Sequence, residues 1–263
     1  MLLAIDVGNS NTVLGLYTLG PSPTLIADWR VTTVPKQTAS EAGIVFANLF
    51  SLNHLKLEDV TGIVISSVVP PFDSILRQVA ELYFHLTPLF VDTTVDTGIT
   101  VLTDNPSELG ADRLVNCVAA FHQFGGPTIV VDLGTATTFD VISKHGEFLG
   151  GAIAPGLQIS ADALFARAAR LPRVDIKAPA KVIGTNTVDN MQIGLYYGYI
   201  GLVDGILARM IAELGPETKV VATGGLAKLI ATGSKYVSTV DDRLTLTGLR
   251  LVYERQQERE QNK

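Results

Sequence analysis

The stretch Met1-Leu-Leu-Ala-Ile-Asp-Val-Gly-Asn-Ser-Asn-Thr-Val-Leu-Gly-Leu-Tyr17 decides how the rest of this chain is read. Leu2 to Ile5 is an unbroken apolar run, the composition of a strand buried on both faces. The run ends at Asp6, and Val7 to Asn11 then supplies a glycine and three short polar side chains, a tight-turn composition. Thr12 to Tyr17 returns to β-prone residues. The segment predicts a hairpin whose turn presents one carboxylate, one glycine and several hydrogen-bonding groups. Taken alone, that is either a polar turn or a loop that holds phosphate.

The chain then does it again. Thr128-Ile-Val-Val-Asp132-Leu-Gly134-Thr-Ala-Thr-Thr138-Phe-Asp-Val-Ile142 aligns Asp132 with Asp6, Gly134 with Gly8 and Thr138 with Thr12. A third strand follows each hairpin, at Thr24 to Thr33 and at Glu147 to Ala154. Two such hairpins predict an internal duplication, with two loops facing one cleft. The glycines let backbone approach a ligand. Asn9, Ser10, Asn11, Thr12, Thr135 and Thr138 can donate hydrogen bonds to phosphate oxygens. Asp6 and Asp132 would repel a phosphate unless cations stand between them and it, so the pattern calls for metal ions, with Mg²⁺ and its waters as the expected choice. This arrangement resembles the two phosphate loops of the actin, hexokinase and sugar-kinase superfamily.

Composition narrows the class. At 263 residues, with 47% hydrophobic and 17% charged residues, the chain has enough apolar material for a large core and reads as globular. A net charge of −6 without a basic cluster argues against a nucleic-acid partner. A single cysteine, Cys117, rules out a disulfide framework and a cysteine-rich zinc site. The first apolar run stops at Asp6 with no basic segment before it, and no apolar run approaches the ~18 residues of a membrane span, so a cytoplasmic protein without a membrane partner is expected. No G-x-x-x-x-G-K-[ST] loop or G-x-S-x-G elbow is present, and His54, His85, His122 and His145 show no metal-ligand spacing.

Between the loops, Thr38-Ala-Ser-Glu41 predicts a capping box opening a helix to about Leu52. Thr61 to Val69 reads as a buried strand, Phe72 to His85 as a helix and Leu89 to Val91 as a short strand. Asp92 to Asn105 is a long Thr/Asp-rich loop, and Asp112 and Arg113 lie in the first turns of the helix after it. Beyond the second hairpin, Gly150 to Gly156 turns into a helix from Leu157 to about Arg170. A long helix runs from Val188 to Leu214, with Gly194, Gly198, Gly201 and Gly205 at helical spacing. Those glycines predict a closely packed neighbouring helix, in the core or in a dimer. Ala222-Thr-Gly-Gly225 ends a strand where an adenine or ribose could lie against backbone, and the polar stretch Glu254 to Lys263 is expected to fray.

With Gly110-Ala-Asp-Arg113 between the two loops, the chain closely resembles the type III pantothenate kinases. The likeness runs nearly end to end, through Asp6-Val-Gly-Asn9, Ser10-Asn-Thr12, Asp104-Asn-Pro106, Gly110-Ala-Asp-Arg113, Asp132-Leu-Gly-Thr-Ala-Thr-Thr138, Gly150 to Gly156, Asn186-Thr187, Met191-Gln192 and Ala222-Thr-Gly-Gly225. The resemblance implies an α/β fold of two similar actin-like (ribonuclease H-like) halves, residues 1–114 and 115–263, each a mixed sheet flanked by helices, with ATP in the cleft between them. It implies ATP-dependent phosphorylation of the pantothenate hydroxyl, the first step of coenzyme A synthesis. ATP would be held by Asp6, Val7, Gly8, Asn9, Ser10, Asn11, Thr12, Val13 and Thr135. Asp6 would carry Mg²⁺ or another divalent cation, and Asp132 a monovalent one, K⁺ or NH₄⁺. Asp112 would accept the hydroxyl proton; Gly110, Ala111, Asp112 and Arg113 would line the pantothenate site; Thr187 would reach pantothenate across a homodimer interface. Two positions depart from the pattern. Ser10 replaces the usual threonine and keeps the hydroxyl, and Thr103 stands where many relatives have a tyrosine that contacts pantothenate. A non-catalytic regulatory relative need not keep Asp6, Asp112, Arg113 and Asp132 together.

Overall fold

The computed structural model describes residues 1–168 and 170–262. In chain order the strands and α-helices are β1 (Leu2–Val7), β2 (Asn11–Tyr17), β3 (Leu25–Thr32), α1 (Ala39–Leu52), β4 (Gly62–Ser67), α2 (Pro70–Val79), β5 (Leu89–Phe90), β6 (Thr100–Val101), α3 (Ala111–Phe124), β7 (Thr128–Leu133), β8 (Ala136–Ile142), β9 (Glu147–Pro155), α4 (Leu157–Arg167), α5 (Thr187–Leu214), β10 (Lys219–Thr223), α6 (Ala227–Ala231), β11 (Thr239–Val240) and α7 (Leu244–Gln261). They form two compact units, Met1–Ala119 with Leu244–Lys263, and Ala120–Arg243.

In the first unit the sheet runs β3-β2-β1-β4-β5. β1 is antiparallel to β2 and parallel to β4. In the second unit β9-β8-β7-β10-β11 repeat that order and those directions. The strands that end in Asp6-Val7 and Asp132-Leu133 have the same burial pattern, four buried positions, a half-buried aspartate and a buried aliphatic residue. Both are central strands, which is why their sequences are continuous rather than alternating.

Helices cover both faces of the first sheet. Leu3, Ile5 and Val7 pack with Phe46 and Phe50 of α1 and with Phe72 and Leu76 of α2. Each such buried side chain contributes about 1.5–3 kcal/mol. Thr38 caps α1 in the expected capping box, accepting from the Glu41 backbone while Glu41 accepts from the Thr38 backbone. α2 continues through a wide turn, Ala80–Phe84, to left-handed His85. α7 packs against β1, β2 and β4, with Leu244, Leu246, Leu249 and Val252 buried.

The expected halves were residues 1–114 and 115–263; the compact units meet within α3, with α7 in the first unit. Several other expectations change here. The tail expected to fray is helical to Gln261. Asp96, in the loop after β5, accepts from Arg255 Nε at 2.9 Å and Arg259 Nη1 at 2.8 Å, while its carbonyl accepts from Gln256 Nε2 at 2.7 Å. α4 stops at Arg167, short of the expected Arg170, and Ala169 and Lys263 lie outside the described residues. The α5 glycines face no neighbouring helix among the described residues: a Cβ at Gly194, Gly198 or Gly201 would meet nothing within 4 Å.

Candidate active site

The first loop is the turn between β1 and β2. Gly8 N–H donates to the Asn11 carbonyl at 3.0 Å, closing the turn. Thr33 braces it from below: its hydroxyl donates to the Gly8 carbonyl at 2.7 Å and shares a 3.0 Å hydrogen bond with the buried Thr12 hydroxyl, while its N–H donates to the Ser10 carbonyl at 3.1 Å. Asn9 and Ser10 are left exposed at the tip. A rigid turn with exposed polar residues at its apex can bind an anion without reorganising.

Asp6 sits just below this turn. Ser66 of β4 donates to its Oδ1 at 2.7 Å. Burial pushes the Asp6 carboxyl up to about 7; the Ser66 bond and the charge of Arg30 pull the other way, and the neighbouring charge of Asp112 pushes it up further. Asp112 belongs to the first turn of α3. Its Oδ1 accepts from the Arg113 backbone N–H at 2.8 Å. Burial raises its pKa as well, against the Arg113 hydrogen bond and charge. Gly110 makes this possible, because a Cβ there would stand 2.6 Å from Asp112 Oδ1. The first unit thus brings Asp112 near enough for its charge to push the Asp6 carboxyl up further, and burial disfavours both as anions. That is a poor arrangement for stability and a good one for receiving cations or protons.

The second loop, in the other unit, is built the same way with one difference. Four residues separate the last paired positions of the first hairpin, Val7 and Thr12, and three separate Leu133 and Thr137. The structural counterpart of Thr12 is therefore Thr137, not Thr138 as the sequence alignment placed it. Both are 1% exposed. Thr12 bonds Thr33, and Thr137 bonds the Tyr199 hydroxyl, which also donates to the Pro155 carbonyl at 3.1 Å. Thr138 instead donates to the buried Asp140 at 2.9 Å. Against this loop lies the glycine pair after β10. Gly224 has φ +93°, and a Cβ there would be 2.6 Å from Asp132 Oδ1. The Leu226 N–H donates to the Leu133 carbonyl at 3.4 Å. The pair expected to meet a nucleotide thus also seats the Asp132 loop.

Thr187 opens α5, whose N-cap, Asn186, accepts from Asp189 N–H at 2.9 Å. It is exposed and lines a cavity of about 500 Å³ together with Leu164, Leu171, Asn190, Met191 and Leu195. The hydroxyl of Thr103, in the segment leading to Gly110, is buried without a hydrogen-bond partner. Sequence reasoning passed over Ser66 and Thr33. Ser66 was a hydroxyl near the end of an apolar strand, and Thr33 one just past the alternating strand β3.

No helix among the described residues is long and apolar enough to cross a membrane. The comparisons with known proteins agree with one another. Solved structures similar in fold include a ROK family glucokinase from Streptomyces griseus (TM-score 0.54, 11% identity, 96% of this chain and 99% of that one). Another is the activator of 2-hydroxyisocaproyl-CoA dehydratase from Clostridium difficile (TM-score 0.56, 13% identity, 98% and 97%). With two repeated mixed sheets flanked by helices, this is the duplicated actin-like fold. The model of the type III pantothenate kinase family matches residues 2–209. Proteins named type III pantothenate kinase from Koribacter versatilis and Acidobacterium capsulatum are each 60% identical to the chain, over 98% and 97% of its length and 96% and 95% of theirs. This chain belongs to the type III pantothenate kinase family.

Proposed function

We infer that the family's reaction, ATP-dependent phosphorylation of pantothenate at the entry to coenzyme A synthesis, is carried in this chain by the Asp6 loop and the start of α3. The observation that carries the reading is the pairing of Asp6 with Asp112, each held as a carboxyl whose charge burial disfavours. In phosphoryl transfer the pantothenate hydroxyl oxygen bonds to the γ-phosphorus as the bond to the β–γ bridging oxygen breaks. The hydroxyl proton goes to Asp112, which its raised pKa makes a stronger base than a surface aspartate. Gly110, Ala111 and Arg113 hold the acceptor beside it. Gly8, Asn9, Ser10, Asn11, Thr12 and Val13 cradle the phosphates through backbone N–H groups and short side chains.

Asp6 fits a divalent cation. One oxygen is engaged by Ser66, and the carboxyl stands at the foot of the β1–β2 turn. That suits Mg²⁺, which keeps several waters and takes one or two carboxylates together with substrate phosphates. When bound, Mg²⁺ would neutralise charge on the β- and γ-phosphate oxygens. In the second loop, Asp132 is the ligand for K⁺ or NH₄⁺ and Thr135 is a hydrogen-bonding group for ATP. Thr187 meets pantothenate in a homodimer, a reading supported by the uncovered glycine face of α5. The enzyme works in the cytoplasm.

The test is direct. Purified protein is incubated with ATP, Mg²⁺ and pantothenate, with and without K⁺, and 4'-phosphopantothenate is followed by mass spectrometry. Product should form, faster with K⁺. No product under any combination refutes the catalytic reading, and K⁺-independent turnover refutes the role given to Asp132.

A further inference from the structure

We propose that Ser66 is a positioning residue: its buried hydroxyl fixes the Asp6 carboxylate so that the second oxygen is held for a divalent cation. The inference rests on the metal role given to Asp6 above. Ser66 is 0% exposed and stands opposite Asp6 in the parallel β1–β4 register. Its Oγ donates to Asp6 Oδ1 at 2.7 Å. A carboxylate that swings about its last bond would present either oxygen, or neither, to a cation. One short hydrogen bond from a rigid strand removes that freedom and leaves Oδ2 in a fixed place. A hydroxyl does this without adding charge. A lysine or arginine at the same place would neutralise Asp6 and compete with a metal.

The duplication supplies an independent argument. In the second unit the residue opposite Asp132 in the parallel β7–β10 register is Thr223, 3% exposed. The same strand-end place beside each loop aspartate therefore carries a buried hydroxyl-bearing residue. In the first unit that residue lies between the buried Ile65 and the partly buried Ser67. The two copies thus share a hydroxyl-bearing residue at this place, and the bond to the aspartate that carries the proposal is the one Ser66 makes.

Mn²⁺ binding to the full chain, measured by titration calorimetry with a nonhydrolysable ATP analogue and no turnover, tests this. Ser66→Ala should weaken Mn²⁺ about 10–100-fold, as removal of an outer-sphere hydrogen bond does, while KM for pantothenate stays at the wild-type value. Ser66→Thr should restore Mn²⁺ affinity. A loss that Ser66→Thr does not restore marks a packing effect and overturns the proposal. Wild-type Mn²⁺ affinity in Ser66→Ala, with affinity lost in Asp6→Asn, also overturns it and leaves Asp6 as the ligand. Wild-type affinity in Asp6→Asn overturns the metal reading itself, and this inference with it. Should Ser66→Ala fail to fold, Ser66→Cys, whose thiol is a weak donor, is measured in its place against the same criteria.

Discussion

Replacing Asp6 by asparagine should stabilise the metal-free protein, and increasingly so as the pH rises. The carboxyl has its pKa raised from 3.8 to about 7, with burial the main cause. Between those two values the folded chain holds a proton that the unfolded chain has lost. Stability therefore falls as pH rises through this window, because the unfolded state binds fewer protons. At 1.36 kcal/mol per unit, the full shift corresponds to about 4 kcal/mol, complete only above the folded pKa. Asparagine keeps the shape, can still accept from Ser66, and has no charge to bury. The stability gap between Asp6→Asn and wild type should widen by about 2–3 kcal/mol between pH 5 and pH 8, the part of the window that interval spans. For a chain of this size that is roughly 4–12 °C in Tm. Thermal melts of both proteins across this pH range, in chelator, measure it. Added Mg²⁺ with ATP should narrow the gap by stabilising wild type alone. Parallel pH profiles for the two proteins would refute the reasoning, since Asp6 would then not be a buried charge.

Other consequences can be checked separately. Asp112→Asn should lower kcat by roughly 10²–10⁴-fold, the usual worth of a general base, while ATP affinity by calorimetry stays near wild type; a fully active variant would remove Asp112 from the mechanism. Gly224→Ala combines a left-handed φ of +93° with a Cβ placed 2.6 Å from Asp132 Oδ1, so it should cost about 1–3 kcal/mol in denaturant unfolding and raise the K⁺ concentration needed for half-maximal activity. Tyr199→Phe removes a hydroxyl shared with Thr137 and Pro155 and should destabilise by about 1–3 kcal/mol, read as a shift in the urea midpoint. Arg255→Ala with Arg259→Ala breaks half-exposed ion pairs, so stability should change by under about 1 kcal/mol, while amide exchange at Asp96 to Gly98 becomes faster.

What could be read from sequence followed from local chemistry. The unbroken apolar runs of β1 and β7 announced central strands, and the repeated carboxylate, glycine and hydroxyl pattern announced two equivalent loops. Gly110-Ala-Asp-Arg113 added the proposed acceptor side, and Gly110 proves to be where Asp112 folds its carboxyl back. Other features depended on distance or on counting. Ser66 is 60 residues from the aspartate it holds, and nothing in its own neighbourhood distinguishes it from a strand-end serine. Thr138 aligned with Thr12 by residue count, yet the shorter second turn moves the equivalent place to Thr137. The destination of α7 was invisible, because an apolar stripe specifies that a helix must be covered and not which sheet covers it. The polar tail looked free because its partner, Asp96, is over 150 residues away.

That return of α7 bears on the order in which the chain can fold during synthesis. Residues 120–243 are one continuous segment that carries strands β7 to β11, so they can complete a core as soon as they leave the ribosome. The first unit cannot. Its strands emerge earliest, but the helix that covers one face of β1, β2 and β4 comes last. Until then a sheet with one bare apolar face waits through more than half of translation, at ~5–20 residues per second. The nascent N-terminal unit is thus the part of this kinase that most needs protection from aggregation. A stop codon anywhere before Leu244 would strand that unit, Asp6 and Asp112 included, without its cover.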